Sequence, residues 1–354
     1  MQSDAPLTQE PPLAEFTETV RKNRAIAWYR TKLPPGELKK LHRRSDLLAS
    51  FQTVGYLLLL VIPGAVACYT AKFGPWWVAA LGVVLYGMFS SFLINAVHEL
   101  VHGTVFKTKW LNHVFCHLFA FLGLINHEMF GQSHVRHHRY TLHPPDDLEV
   151  QLPIKFAIRG FLRSAFFNWP GLKWKLPNLV RLARGKFKGE WEMTLFPVEQ
   201  PEKSRAVIRW ARILIAGHLA VWVIGIATGY YLLPLLLTFG PSIANGPFWL
   251  CNNTQHVGLQ DHVPDFRLCC RTFTLNPFLR FLYWQMNYHT EHHMYAAVPC
   301  YRLPRLHQLV KDDLPPTPHG LVATWRQIAM ILKRQENDPD YQYDPPLPDR
   351  EGRI

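Results

Sequence analysis

The segment Tyr288 to Tyr295 reads YHTEHHMY and places His289, His292 and His293 at spacing i, i+3, i+4. On a helix these imidazoles share one face within a turn, close enough to hold one metal ion or to divide between two adjacent ones. The same spacing stands at His134, His137 and His138 in SHVRHHRYT, and a related pair, His98 and His102, in HELVH. A single histidine is ordinarily a satisfied core or surface residue. Eight of them in three boxes of matching helical period point to a metal centre, because neutral imidazole is the commonest protein metal ligand.

HELVH alone is the pattern of a zinc protease, with two histidines on the metal and a glutamate as base. That reading leaves the other six box histidines idle and offers no obvious third ligand. Soluble di-iron bundles use repeated Glu-x-x-His pairs, and here Glu99 and His102 make one such pair with no second. Haem takes histidines singly from facing helices, and ion transport favours ligands within the spans. Protease, haem binding and His-rich transport are therefore remote alternatives. The ligand set is thus imidazole-rich and carboxylate-poor.

The elements that must position these boxes are apolar. Hydrophobic residues make up 48% of the 354, with 12 tryptophans and 13% aromatics, and apolar blocks alternate with basic ones. The formal charge of +12 fits nucleic acid less well than membrane, because its placement is the positive-inside signature. Arg21, Lys22, Arg24, Lys39, Lys40, Arg43 and Arg44 precede the first apolar block. Arg159, Arg163, Lys173, Lys175, Arg181, Arg184, Lys186 and Lys188 fill the middle segment. Anionic lipid headgroups are the expected partner, not nucleic acid. The six cysteines show no CxxC and no framework spacing, so they imply neither structural zinc nor disulfides and fit a reducing compartment. The N-terminus lacks the basic start and apolar core of a signal peptide, so the first span is expected to serve as the insertion signal.

In chain order, residues 1–20 read as a disordered tail and 21–46 as a basic amphipathic segment on the membrane surface. Asp46 to Ala71 would reach about 38 Å as a helix, enough to cross the hydrocarbon core. Trp76 to Val97 returns the chain, so a first hairpin is expected over 47–97. Trp110 to Ile125 is too short to span and reads as interfacial or re-entrant. The region 98–206 is then a cytosolic cap carrying the first two boxes. If all boxes build one site, the chain crosses an even number of times between them. The block 207–251 has about the 40 residues that two crossings need, with a turn near Gly229 and Tyr230. Residues 252–335 complete the cap and 336–354 read as a second disordered tail. The predicted fold is thus an all-α integral membrane protein, with four transmembrane helices in two hairpins under a cytosolic helical cap. Both termini and all boxes lie on the cytosolic side of a bacterial inner membrane or the endoplasmic reticulum.

HELVH, HVRHH and HTEHH around two apolar hairpins resemble the three histidine boxes of the membrane fatty acid desaturase and hydroxylase superfamily, over roughly residues 45 to 310. The resemblance implies two irons held by His98, His102, His134, His137, His138, His289, His292 and His293. It also implies His256 in NNTQH as a further ligand, with Asn252 holding an iron-bound water; from the residues alone, His256 is equally a capping or buried polar group. Oxygen is the implied co-substrate and a lipophilic acyl chain the substrate. Fatty acid desaturation is the leading reaction, with hydroxylation or alkene-forming decarboxylation as alternatives on the same scaffold. Glu99 and Glu291 are candidates to orient a ligand imidazole through its other N–H. Asp146 and Asp147 are read as structural partners of Arg136 or Arg139. His113, His117, His127, His143, His218, His262, His307 and His319 are read as uninvolved. The aromatic stretch Phe278 to Tyr288 is a candidate tunnel lining, with interfacial packing as its alternative. No haem-binding element, cysteine cluster or GxGxxG is present, so electrons are expected from a separate acidic donor, ferredoxin or cytochrome b5 with its reductase.

Overall fold

The computed structural model describes residues 26–152 and 158–348. The tail expected at 1–20 and the start of the basic segment lie outside the described residues. Among those described there is no extended sheet, only isolated bridges such as Tyr29 with Asp265. Helices carry the architecture.

A short helix α1 (Glu37–Leu41) leads into α2 (Asp46–Phe73), which starts where the Ser45 side chain accepts from Leu48 N. Asp46, in the first turn, accepts from Thr108 N at 3.0 Å and from its hydroxyl at 2.8 Å, tying the span to the next segment. A tight turn returns the chain in α3 (Trp76–Ser90) and α4 (Leu93–Val101), which together count as one span of 26 residues. Close approach within this hairpin requires glycine at 82, where a Cβ would stand 2.8 Å from the Pro63 carbonyl and 2.9 Å from the Ala67 methyl. The interfacial stretch forms α5 (Lys109–Leu122), and the second box forms α6 (His127–Tyr140), bent by 110° from it. Asn126 caps α6 by accepting from Met129 N.

The basic middle segment folds as α7 (Ile158–Phe166), α8 (Trp169–Ala183) and α9 (Gly189–Leu195). Next comes α10 (Pro201–Thr228), whose early residue Trp210 donates to Ile125 O while its last residue accepts from Lys72 Nζ at 3.1 Å. It therefore runs parallel to α2, from the histidine side to the far side. Gly229, in the left-handed region at φ 72, makes the turn expected there.

The return leg departs from a regular second hairpin. It consists of α11 (Leu232–Phe239), a 3-10 turn at Gly240–Ser242 and α12 (Gly246–Asn252), none long enough to span. Pro241, Asn245 and Pro247 interrupt the run, and the freed backbone is satisfied locally, with Ala244 N donating to Phe166 O and Asn168 N to Ser242 O. The described residues thus hold three helices long and apolar enough to cross a membrane, or four if α5 and α6 make one broken span. Phe51, Ile62, Leu81 and Val223 stand more than half exposed on these helices, a surface that only lipid or another protein would cover.

The remainder is short helices: α13 (Phe266–Cys269), α14 (Pro277–Leu282), α15 (His289–Met294), α16 (Leu303–Val310) and α17 (Gly320–Gln335). The expected disordered tail begins differently, since Tyr343 N donates to Gly258 O and Gln260 to Asp344. An N-terminal strap packs on the same region, with Trp28 stacked on Phe266 at 4.1 Å and Arg267 held by Asp265, Asp313 and the Tyr29 ring.

Candidate metal centre

Nine histidines converge from four places: α4, α6, the loop after α12, and α15. They fall into two groups, His98, His102, His134, His138 and His292 in one, and His137, His256, His289 and His293 in the other. Within each group one ring nitrogen per residue lies within 4.8 Å of all the others. The partition follows helical geometry. Residues i and i+4 are about 40° apart around a helix and stay together, whereas the i+3 residue lies on the other flank. So His134 and His138 join one group while His137 crosses to the other, and His289 and His293 join one while His292 crosses back.

The groups fit metal ions. His138 and His134 face each other through Nε2 at 2.9 Å, His292 and His138 at 3.1 Å, and His289 and His256 at 2.9 Å. Nitrogens about 2.1 Å from one ion and at right angles to each other would lie roughly 3.0 Å apart. Further ring nitrogens, Nε2 of His98, His102 and His293 among them, are buried without a partner, which is costly unless a ligand satisfies them. Burial pushes His256 down to about 3, and His289, His292 and His293 well below the ordinary imidazole range, each reinforced by neighbouring histidines. These four are neutral bases at physiological pH, the form that binds a cation.

Five of the opposite nitrogens are held by the protein, while Nδ1 of His138, His289 and His292 is buried without a hydrogen-bond partner. His98 Nδ1 meets Glu99 Oε1 at 3.0 Å, His134 Nδ1 meets Glu149 Oε1 at 2.8 Å, and His137 Nδ1 meets Asp147 Oδ2 at 2.8 Å. His256 Nδ1 lies 2.8 Å from Cys269 O, and His293 Nδ1 3.1 Å from Thr141 Oγ1. An acceptor at Nδ1 places the proton there and leaves Nε2 as a lone pair facing the cluster. The His256 loop is further pinned by the buried Arg271 guanidinium, which donates to the carbonyls of Thr254 and Val257. Asn252 ends α12, half-buried, four residues before His256.

Several sequence expectations need correction. Asp146 does pair with Arg136, at 3.1 Å, but Asp147 serves His137 rather than an arginine. Burial raises the Asp147 carboxyl, yet His137 and the N–H groups of Leu142 and Glu149 outweigh it and hold it below its usual value. Glu291 points away from the box histidines, to Thr272 and to Nδ1 of His307. It anchors α15 to α16, and His307 is a partner rather than a bystander. Glu149 and Thr141 were invisible in sequence reading, and the one available signal was an acidic run, DDLE, directly after a box in a basic region. Within Phe278 to Tyr288, Leu282, Tyr283, Trp284 and Met286 are fully buried in the core. A cavity of about 530 Å³ is walled by α6, α8 and the end of α3, and it touches Phe130, Ser133 and Glu149 beside His134. Phe130 stacks on the His134 ring at 5.1 Å.

A family model described as fatty acid desaturase matches residues 74–325. The chain belongs to the fatty acid desaturase family. As a member of that family it is an oxidoreductase. It is similar to a human protein named sphingolipid delta(4)-desaturase/C4-monooxygenase, at 24% identity over 306 residues, covering 80% of this chain and 86% of that one. The mouse counterpart is 25% identical over 304 residues with the same coverage. A dihydrorhizobitoxine desaturase of Bradyrhizobium elkanii is 26% identical over 290 residues, covering 75% of each chain. Every box histidine of this desaturase-family chain and His256 lie inside the matched region.

Proposed function

We propose that the chain is an integral-membrane, oxygen-dependent di-iron oxidase that removes hydrogen from unactivated C–H bonds of a lipophilic acyl or similar chain, with desaturation as the outcome. One observation carries this reading: two adjacent groups of buried imidazoles, five of them with the outer nitrogen held by the protein, whose inner nitrogens lie at the spacing of one coordination sphere. His98, His102, His134, His138 and His292 would hold one ion. His137, His256, His289 and His293 would hold the other, with Asn252 through a water. Two irons, when bound, would supply the redox and oxygen-activating chemistry that histidine and carboxylate side chains lack.

The chain's own residues do the rest. Glu99, Glu149, Asp147, Thr141 and the Cys269 carbonyl keep the Nδ1 protons of His98, His134, His137, His293 and His256 in place, so these five imidazoles need not change tautomer during turnover. Phe130, Met129 and Leu124 give the neighbouring cavity an apolar wall that takes an aliphatic chain and excludes water from the reacting carbon. The hydroxylase reading stays attached to the same site, because the sphingolipid relatives carry both desaturase and monooxygenase in their names.

The α2–α3–α4 hairpin and the α10-to-α12 leg are read as two membrane hairpins. On that reading the histidines and both termini face the cytosol, and a separate ferredoxin or cytochrome b5 supplies electrons. The test is expression with a compatible reductase, mass spectrometry of lipids and hydrocarbons, and metal analysis of the purified chain. Iron near two per chain and products two hydrogens lighter are expected. Replacing His137, His138, His292 or His293 by alanine should abolish turnover and lower bound iron; retained activity would reject the assignment. Zinc at one per chain would reinstate the protease.

A further inference from the structure

Asn126, Met129, Phe130 and Ser133 line one wall of the cavity beside His134, and their spacing of i, i+3, i+4, i+7 is a single face of α6. The facing wall is α8, through Lys175, Asn178, Leu179 and Leu182. The two ends differ. At the metal end, Trp191 Nε1 donates to Ser133, and Glu149 binds both Ser133 and His134. At the other end, Lys175 Nζ donates to Gly123 O at 3.1 Å, just before the Asn126 cap. From Asn126 to Ser133 the helix rises about 10 Å, and from Lys175 to Arg181 about 9 Å. The lysine therefore stands roughly one such length from the wall that supports His134.

Among the described residues Lys175 is a cation without a counter-ion. Of the acids lining the cavity, Glu192 is bonded to Arg181 at 2.7 Å and Glu149 to Ser133 and His134. Among the described residues no carboxylate pairs with Lys175, whose one hydrogen bond is to a neutral carbonyl. Burial lowers its ammonium to about 8, which leaves it mostly charged at neutral pH. A charge turned into an apolar cavity is unfavourable alone and becomes favourable when a ligand brings the opposite charge.

We propose that Lys175 anchors the anionic head, carboxylate or phosphate, of an otherwise aliphatic substrate. Its distance from the His134 wall then sets which carbon of the chain is presented for oxidation. This rests on reading the histidine site as the oxidase centre, because the shared wall is what makes this cavity the substrate site.

The experiment is equilibrium binding to the purified full chain in detergent, without reductant so that nothing turns over. The probes are a saturated fatty acid, the alcohol of equal length and a lysophosphatidic acid. Lys175→Met should weaken the fatty acid by at least about tenfold, the scale of one charge-assisted hydrogen bond, and leave the alcohol unchanged. Lys175→Arg should restore acid binding. Lysophosphatidic acid binding tighter than the fatty acid, with the same dependence on Lys175, supports the anchor and identifies phosphate as its ligand. Equal losses for acid and alcohol, or no loss for either anion, overturn the proposal. Iron content measured on the same samples reports separately on the metal centre: wild type and Lys175→Met with full iron but no Lys175 effect refute the anchor and leave the oxidase intact.

Discussion

Asp147→Asn isolates what the outer carboxylates contribute. The side chain of Asp147 accepts three times: Oδ2 from Leu142 N at 2.9 Å and from His137 Nδ1 at 2.8 Å, and Oδ1 from Glu149 N at 3.0 Å. An amide of the same shape has one acceptor oxygen and one donor group. Turned one way, its NH2 opposes the N–H of both His137 and Leu142. Turned the other way, it opposes Glu149 N and disturbs the residue that orients His134. Either orientation leaves at least one buried donor unsatisfied, at about 1–3 kcal/mol. Loss of such an outer partner typically costs 10–100-fold in metal affinity, or about 1.4–2.7 kcal/mol. The assay is anaerobic titration of chelator-stripped protein with ferrous or cobaltous ion, with Asp146→Asn as control because Asp146 serves Arg136 instead. Wild-type affinity in Asp147→Asn, or an equal loss in the control, would refute the claim that this carboxylate tunes the site.

Three further outcomes are expected. His102→Ala and His289→Ala, one from each group, should each lower bound iron by at least one ion per chain, read by elemental analysis of the purified variants. Arg271→Met strips two carbonyls of their donor around His256 and should cost about 1–3 kcal/mol, visible as a lower melting temperature together with reduced iron. Lys175 has a folded pKa of about 8 against an ordinary 10.5, so its charge opposes folding fully below pH 8. That penalty should ease as pH rises from 8 towards 10.5, making wild-type thermal stability climb over this window while Lys175→Met stays flat. Parallel pH profiles for the two proteins would contradict it.

The clustered histidines are readable in the sequence and their surroundings much less so. Helical spacing within a box is a local property, so His134, His137 and His138 announce themselves. Which of them shares an ion with His289 depends on how α6 and α15 face each other, and that is tertiary. Asp147 and Glu149 reach their histidines only because the chain turns back after Tyr140, and no periodicity encodes such a turn. The spans over 46–73 and 76–101 were legible because a continuous apolar run of that length has few other uses. The return leg is less legible, because Pro241, Asn245 and Pro247 break up an apolar run whose total length matches two crossings. Of the aromatic stretch before the third box, Tyr283 and Trp284 are fully packed in the core, while a cavity lies beside the second box, where no aromatic run marks it.

The exchange of His137 and His292 between the groups has a mechanical consequence. Each of the two box helices reaches both cation seats, like a rivet through two plates, so neither seat can widen without dragging the other. Filling the first should stiffen the second, and partly loaded chains should be scarce. On the di-iron reading, a chain assembled this way would pass from empty to fully charged in practically one step, spending little time with a solitary, reactive iron.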